Sequence, residues 1–179
     1  GASYAEVRVV ALTESTVAMR DGVLERAIPG QELGMTLRVL ADGAWGVHST
    51  TDIASLADQI EPTTRLAKAV AKRRSPGERP KALAEVPIIE DETHWRSTLD
   101  VRHTELDEKM NLMNDLYRGA TGHDDIVSVR TGWSDEHIHT ELMTTEGMDR
   151  VWSFQRSLIH GMVTARRDGE VVSYRTRHG

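Results

Sequence analysis

Residues 33–50, LGMTLRVLADGAWGVHST, constrain this chain more than any other stretch, because two apolar-rich runs flank the pair Asp42-Gly43. Met35, Leu37 and Val39 alternate with Thr36, Arg38 and Leu40, a period of two that sends successive side chains to opposite faces of a sheet. Asp-Gly tolerates the positive φ values of a type I′ turn, so the stretch predicts a tight hairpin. Gly34 and Gly46 lie inside its strands, where glycine marks a bulge or a close backbone approach. Two further Asp-Gly pairs, at 21–22 and 168–169, also separate strand-like runs. Three such turns favour an antiparallel meander over a parallel sheet.

Read in order, the chain predicts strands over residues 6–13, 16–20 and 23–28, the last closed by Pro29-Gly30. The helical sequence that follows starts at Thr51 or Asp52 as a cap for residues 53–60. Pro62 is expected to kink this helix or to begin a second one over 63–74, with Leu66 and Val70 facing inward. Residues 75–87 hold three prolines and little periodicity, and read as a connector. A further helix spans about 104–118, its stripe formed by Leu106, Met110, Met113 and Tyr117. Thr104 and Asp107 resemble a capping box, Glu105 is placed to pair with Lys109, and Gly119 is a natural stop. Strands then resume with Ile126, Val129 and Trp133 before a turn at Ser134-Asp135-Glu136 and Ile138 and Leu142 after it. Another turn at Thr145-Glu146-Gly147 leads to residues 151–154 and the last hairpin. The sum is an α+β fold, a two-layer sandwich of six or more mostly antiparallel strands with helices packed on one face.

Composition narrows the function. The 179 residues carry a net charge of −6, which disfavours nonspecific binding to nucleic acid phosphates. The one basic cluster, Lys68, Lys72, Arg73 and Arg74, ends a predicted helix and reads as a solvated last turn. No cysteine is present, which excludes disulfides and thiolate ligands and fits a reducing, cytoplasmic setting. No apolar run approaches the ~20 residues of a membrane span.

The pattern with most chemical content is Glu136-His137-Ile138-His139-Thr140-Glu141, where His137, His139 and Glu141 share one face of a strand. Two imidazoles and a carboxylate are a possible zinc ligand set. An exposed polar strand face explains the same alternation without a metal. His48, His94, His103, His123, His160 and His178 show no spacing that places two on one helical face with a glutamate. Ser49 and Ser153 can each be matched on paper with a histidine, but no Gly-x-Ser-x-Gly elbow, phosphate loop or dinucleotide fingerprint occurs. No catalytic, cofactor-binding or metal-binding residue is assigned.

Four stretches resemble the TldD/PmbA family, the proteins described as modulators of DNA gyrase. LGMTLRVLADGAWGVHSTTDI (residues 33–53) is similar to the family's signature segment, GASYAEVRV (1–9) to its first strand and RDGVLE (20–25) to the hairpin that follows. TEG (145–147) resembles a later turn, so the likeness covers most of the chain, and Ala44-Trp45-Gly46 is closer to the TldD than to the PmbA (TldE) branch. The resemblance implies a zinc metallopeptidase of unfolded or small peptides whose His-Glu-x-x-x-His motif lies in a C-terminal half. That motif does not occur here, and no family zinc ligand can be placed on these residues. Residues 1–179 are thus expected to be a single noncatalytic N-terminal domain that frames the peptide chamber and contributes to dimer contacts, as a homodimer or a TldD/TldE-like heterodimer. Zinc is expected in the C-terminal half, and an extended substrate is expected along an edge within residues 34–47 or 126–142. The alternatives are a stand-alone interaction or regulatory domain, as the gyrase description implies, and a metal-free PmbA/TldE-like partner subunit.

Overall fold

The computed structural model describes residues 1–75, 77–94 and 100–179. Its elements run β1 (Tyr4–Arg20), β2 (Val23–Ala41), β3 (Ala44–Thr50), a 3₁₀ turn (Ile53–Ser55), α1 (Leu56–Lys72), β4 (Glu90–His94), a second 3₁₀ turn (Val101–His103), α2 (Leu106–Ala120), β5 (Ile126–Thr144), β6 (Asp149–Arg167) and β7 (Glu170–His178). All three Asp-Gly pairs take left-handed backbone at both positions, with φ of 50° and 79° at Asp21 and Gly22, 52° and 72° at Asp42 and Gly43, and 51° and 86° at Asp168 and Gly169. Two positive φ values in succession define the type I′ turn, whose twist matches that of paired strands. The expected hairpins are therefore present.

The strands order as β3-β2-β1-β5-β6-β4, and β7 also pairs with β6. Thr145 N donates to Ala5 O at 2.9 Å and Asp21 N to Val129 O at 2.8 Å, so β1 and β5 run antiparallel. One pair departs from the meander: β4 lies parallel to β6, with Glu90 opposite Asp149 and His94 opposite Ser153. The α+β class with a mostly antiparallel sheet and helix packed on it is as expected.

Several local expectations are corrected. Residues 6–13 and 16–20 form one strand, β1, and β2 continues through Pro29-Gly30 instead of ending there. Proline is tolerated because β3 pairs only with residues 35–41 of β2, so Pro29 lies where the β3-side edge of β2 carries no ladder partner from β3. A Cβ on Gly30 would lie 2.8 Å from Glu14 Cγ, in the flexible side chain of an exposed residue that can turn aside. Pro62 sits inside a single helix. It and Asp58, whose carbonyl loses its helical donor, are both exposed, so water can satisfy that carbonyl. Ser134-Asp135-Glu136 is no turn: β5 runs unbroken through it.

Two compact units divide the chain. The first comprises Gly1–Ala11, Glu32–His94 and His139–Ser153, and the second Leu12–Gln31, Trp95–Ile138 and Phe154–Gly179. In the first, Met35, Leu37 and Val39 are buried on one face of β2, as their alternation predicts. Helix α1 packs on β3 so closely at Gly46 that a Cβ would lie 2.3 Å from Thr63 O. Only small residues fit at that crossing, so Thr63 and Ala67 face inward and Leu66 and Val70, expected there, are about half exposed. Tyr4 meets Trp45 edge to face at 5.8 Å, and the Arg38 guanidinium lies 4.3 Å over the Trp45 ring while pairing with Glu6 at 2.8 Å.

The Asp42-Gly43 turn is held by the segment after α1. Arg74 Nη2 donates to Asp42 O at 2.7 Å and Lys81 N to Gly43 O at 2.8 Å. A Cβ on Gly43 would fall 2.4 Å from Pro80 Cβ. Gly43→Val therefore combines left-handed strain with a clash, and is expected to destabilise the chain by about 2 kcal/mol in urea unfolding. An unchanged midpoint would show that neither constraint holds.

In the second unit α2 buries Met113 against Val17 and Met19 of β1 and Trp133 of β5, with Met110 and Ile159 packed around them. The predicted stripe is therefore inward-facing except at Leu106, which is exposed. The helix starts one residue later than the expected box: Glu105 N donates to Glu108 Oε2 at 3.1 Å, and Glu105 with Glu108, not Thr104 with Asp107, forms the capping box. Gly119 does not stop the helix, which ends at Ala120.

Candidate functional site

The alternation Val129, Thr131, Trp133 carries β5's inward face one step further to Asp135, which is buried. Lys109 Nζ lies 2.7 Å from Asp135 Oδ2, and the two side chains are 7% and 4% exposed. Lys109 Nζ also donates to Ser15 Oγ at 2.7 Å, and Ser15 Oγ lies 3.0 Å from both Asp135 oxygens. Trp133 Nε1 donates to the same carboxylate. The carboxylate thus has three donors from α2, β1 and its own strand, an arrangement that suits a buried structural clamp. Lys109 had read as a surface partner of Glu105, and Asp135 as a turn residue. Continuation of the period-two apolar face into Asp135 was the signal for this pair.

The histidine motif is only partly assembled. His139 Nε2 lies 3.2 Å from Glu141 Oε1. Its aromatic neighbour is His94 of β4, stacked at 6.5 Å between centroids with planes 16° apart. His94 in turn pairs through Nδ1 with Ser153 Oγ at 2.6 Å and through Nε2 with Glu92 Oε1 at 2.7 Å. This Ser-His-Glu chain has the connectivity of a nucleophilic relay but not its enclosure, since the His94 and Glu92 side chains are 43% and 70% exposed. Among the described residues no group of three or more His, Asp or Glu side chains is placed to hold a metal ion.

The second unit has a sheet face that α2 does not cover. There a cavity of about 380 Å³ is lined by Arg130 of β5, Leu158, His160 and Met162 of β6, and Arg175 and Arg177 of β7. A Cβ on Gly132 would lie 2.3 Å from His160 Cε1, so the absence of a side chain there makes room for the imidazole. Nearby, a cavity of about 530 Å³ includes Glu14, Glu136 and Arg156, the last two joined at 2.6 Å. None of these basic residues stands out in the sequence, because what brings Arg130 to Arg175 and Arg177 is the strand order. The strand order also corrects the expected substrate edge: residues 126–142 lie in β5, between β1 and β6, and present no edge.

The PmbA/TldA metallopeptidase domain 1 matches residues 5–72, and the PmbA/TldA metallopeptidase central domain matches residues 99–179. The chain belongs to the PmbA/TldD family. The signature hairpin that first suggested the family falls in the domain 1 match, and the turn at residues 145–147 falls in the central-domain match. Among relatives of this PmbA/TldD chain, Metalloprotease MJ0996 of Methanocaldococcus jannaschii is 24% identical over 169 residues, 94% of this chain and 37% of the relative. A metalloprotease of Methanothermobacter thermautotrophicus is 24% identical over 144 residues, 80% of this chain and 30% of that one. The chain therefore spans well under half the length of both.

Solved structures share the fold. A Thermotoga maritima protein named as a proposed modulator of a DNA gyrase superposes with a TM-score of 0.73 at 17% identity, over 97% of this chain and 38% of that one. TldE of Thermococcus kodakarensis superposes with a TM-score of 0.65 at 15% identity, over 98% of this chain and 39% of that one.

Proposed function

We propose that these 179 residues are the noncatalytic N-terminal part of a TldD/PmbA-type metallopeptidase of unfolded or small peptides, framing its peptide chamber and contributing to dimer contacts in the cytoplasm. The observation that carries this reading is the pair of matches to metallopeptidase domain 1 and central domain, together spanning most of the chain. Zinc and the His-Glu-x-x-x-His motif belong to a C-terminal half on this reading. No step through zinc is assigned to residues of this chain. The sheet's part is to present backbone edges and shaped faces to an extended peptide, with β3 offering one such edge within residues 34–47.

The deciding measurement is zinc content and peptidase activity, on the 179-residue chain and on the product of the complete reading frame. Zinc and activity confined to the longer product are expected. Stoichiometric zinc in the 179-residue chain would overturn the reading and bring His137, His139 and Glu141 forward.

The likeness to TldE favours one second reading, a PmbA/TldE-like partner subunit without metal of its own. A complete product that lacks zinc and peptidase activity alone, and gains activity with a TldD-type partner, would establish it. The Ala44-Trp45-Gly46 wording supports the TldD branch instead.

A further inference from the structure

We propose that the outer edge of β7, together with the basic cluster beside it, binds an extended acidic peptide in which carboxylate side chains alternate with apolar ones. This rests on the peptide reading above and specifies the chemistry of the peptide.

Among the described residues β7 pairs only with β6, so its other edge offers the backbone N–H and C=O groups of Glu170–His178 to a further strand. All nine residues of β7 are exposed. Cross-strand partners share a face, and the register divides β7 cleanly. Tyr174 lies opposite Val163 and Val172 opposite Ala165, on the same side as Ile159, which packs into the α2 cluster. Arg175 lies opposite Met162 and Arg177 opposite His160, on the uncovered side, where Arg130 of β5 joins them around the 380 Å³ cavity.

Charge makes this face unusual. Arg150, Arg156 and Arg167 of β6 each hold a carboxylate. The side chains of Arg130, Arg175 and Arg177 have no ion pair or hydrogen bond among the described residues, and no acidic residue lines the 380 Å³ cavity they share, although Arg177 also borders the 530 Å³ cavity that holds Glu14, Asp135 and Glu136, in a chain whose net charge is −6. Edge arginines also discourage aggregation, but that role gives no use to Arg130, which sits two strands inward.

A peptide strand paired with β7 places every second side chain on one face, the same repeat that separates Arg175 from Arg177. Carboxylates on that face meet guanidiniums able to bind them in a bidentate fork. The intervening side chains fall beside Val172 and Tyr174, which are 66% and 74% exposed and gain an apolar neighbour. Alternating acidic and apolar residues therefore satisfy both faces at once.

The test is fluorescence anisotropy on the product of the complete reading frame with a labelled octapeptide alternating Glu and Val, its Gln-Val counterpart, and inorganic phosphate as competitor, with backbone amide shifts recorded in parallel. The Glu-Val peptide is expected to bind and to shift amides of Glu170–His178. The Gln-Val peptide, and the Arg175→Gln/Arg177→Gln double variant, are each expected to lose about tenfold or more in affinity. Arg130→Gln should weaken the Glu-Val peptide while leaving the set of shifted β7 amides unchanged. Equal binding of the two peptides, or an unaffected double variant, would overturn the proposal. So would phosphate displacing the peptide with no β7 amide shifted, which would leave a plain anion pocket. If the complete reading frame hydrolyses peptides while the Glu-Val peptide fails to bind here, this proposal falls and the peptidase reading stands; binding here without zinc or activity in the longer product gives the reverse.

Discussion

Lys109→Met is expected to lower the unfolding free energy by about 3–5 kcal/mol, because it leaves a buried carboxylate without its counter-charge. Methionine preserves the length of the aliphatic stem, so the loss reports charge and hydrogen bonding more than packing. Ser15 and Trp133 remain as donors to Asp135, but neither carries charge. Substituting both partners, as Lys109→Met with Asp135→Leu, is expected to recover most of the loss, since a buried ion pair often exchanges for apolar side chains at little net cost. Urea unfolding of the two single variants and the double variant measures the coupling directly. A single-variant loss below 1 kcal/mol would show that the pair is solvated in solution, contrary to its 7% and 4% exposure.

Gly46→Ala is expected to cost about 3 kcal/mol, the upper range for adding a methyl group to a filled site. The new Cβ would lie 2.3 Å from Thr63 O and 3.0 Å from Ala67 N, and both are helix backbone, which cannot rotate aside as a side chain can. Either α1 lifts from β3 or β3 distorts, and the apolar contact between them opens. Gly34→Ala, on β2 of the same hairpin, is the control: its nearest neighbour would be Thr50 O at 4.0 Å, and a change within about 0.5 kcal/mol is expected. Equal melting temperatures for the two variants would refute the close approach of α1.

What was legible in the sequence was local. A type I′ turn is specified by two adjacent residues, so Asp21-Gly22, Asp42-Gly43 and Asp168-Gly169 could be read without knowing what surrounds them. Asp135 could not, because its partner Lys109 lies on a distant helix and the triplet Ser134-Asp135-Glu136 carries turn-forming residues. For α1 the helical period was readable and the phase was not: burial of Thr63 and Ala67 in place of Leu66 and Val70 is decided by Gly46 on another element. His139 and Glu141 share a face as their spacing requires, yet the ring beside His139 comes from β4, a five-residue, wholly exposed strand with no alternation to announce it. The cluster of Arg130, Arg175 and Arg177 depends on strand order, which no stretch of sequence states.

The pairing of β1 with β5 also sets how the chain reaches this sheet. Hairpins β1·β2, β2·β3 and β6·β7 each close over two residues, and their formation takes about 1–10 μs in isolation. Bringing Asp21 to Val129 and Ala5 to Thr145 instead closes loops of more than a hundred residues before any contact rewards the loss of freedom. Joining an N-terminal and a C-terminal meander along that seam is therefore the step expected to limit folding, which stopped-flow refolding of seam and turn variants would measure. Substitutions along that seam slow folding, whereas those in the three turns act mainly on whether each meander exists to be joined.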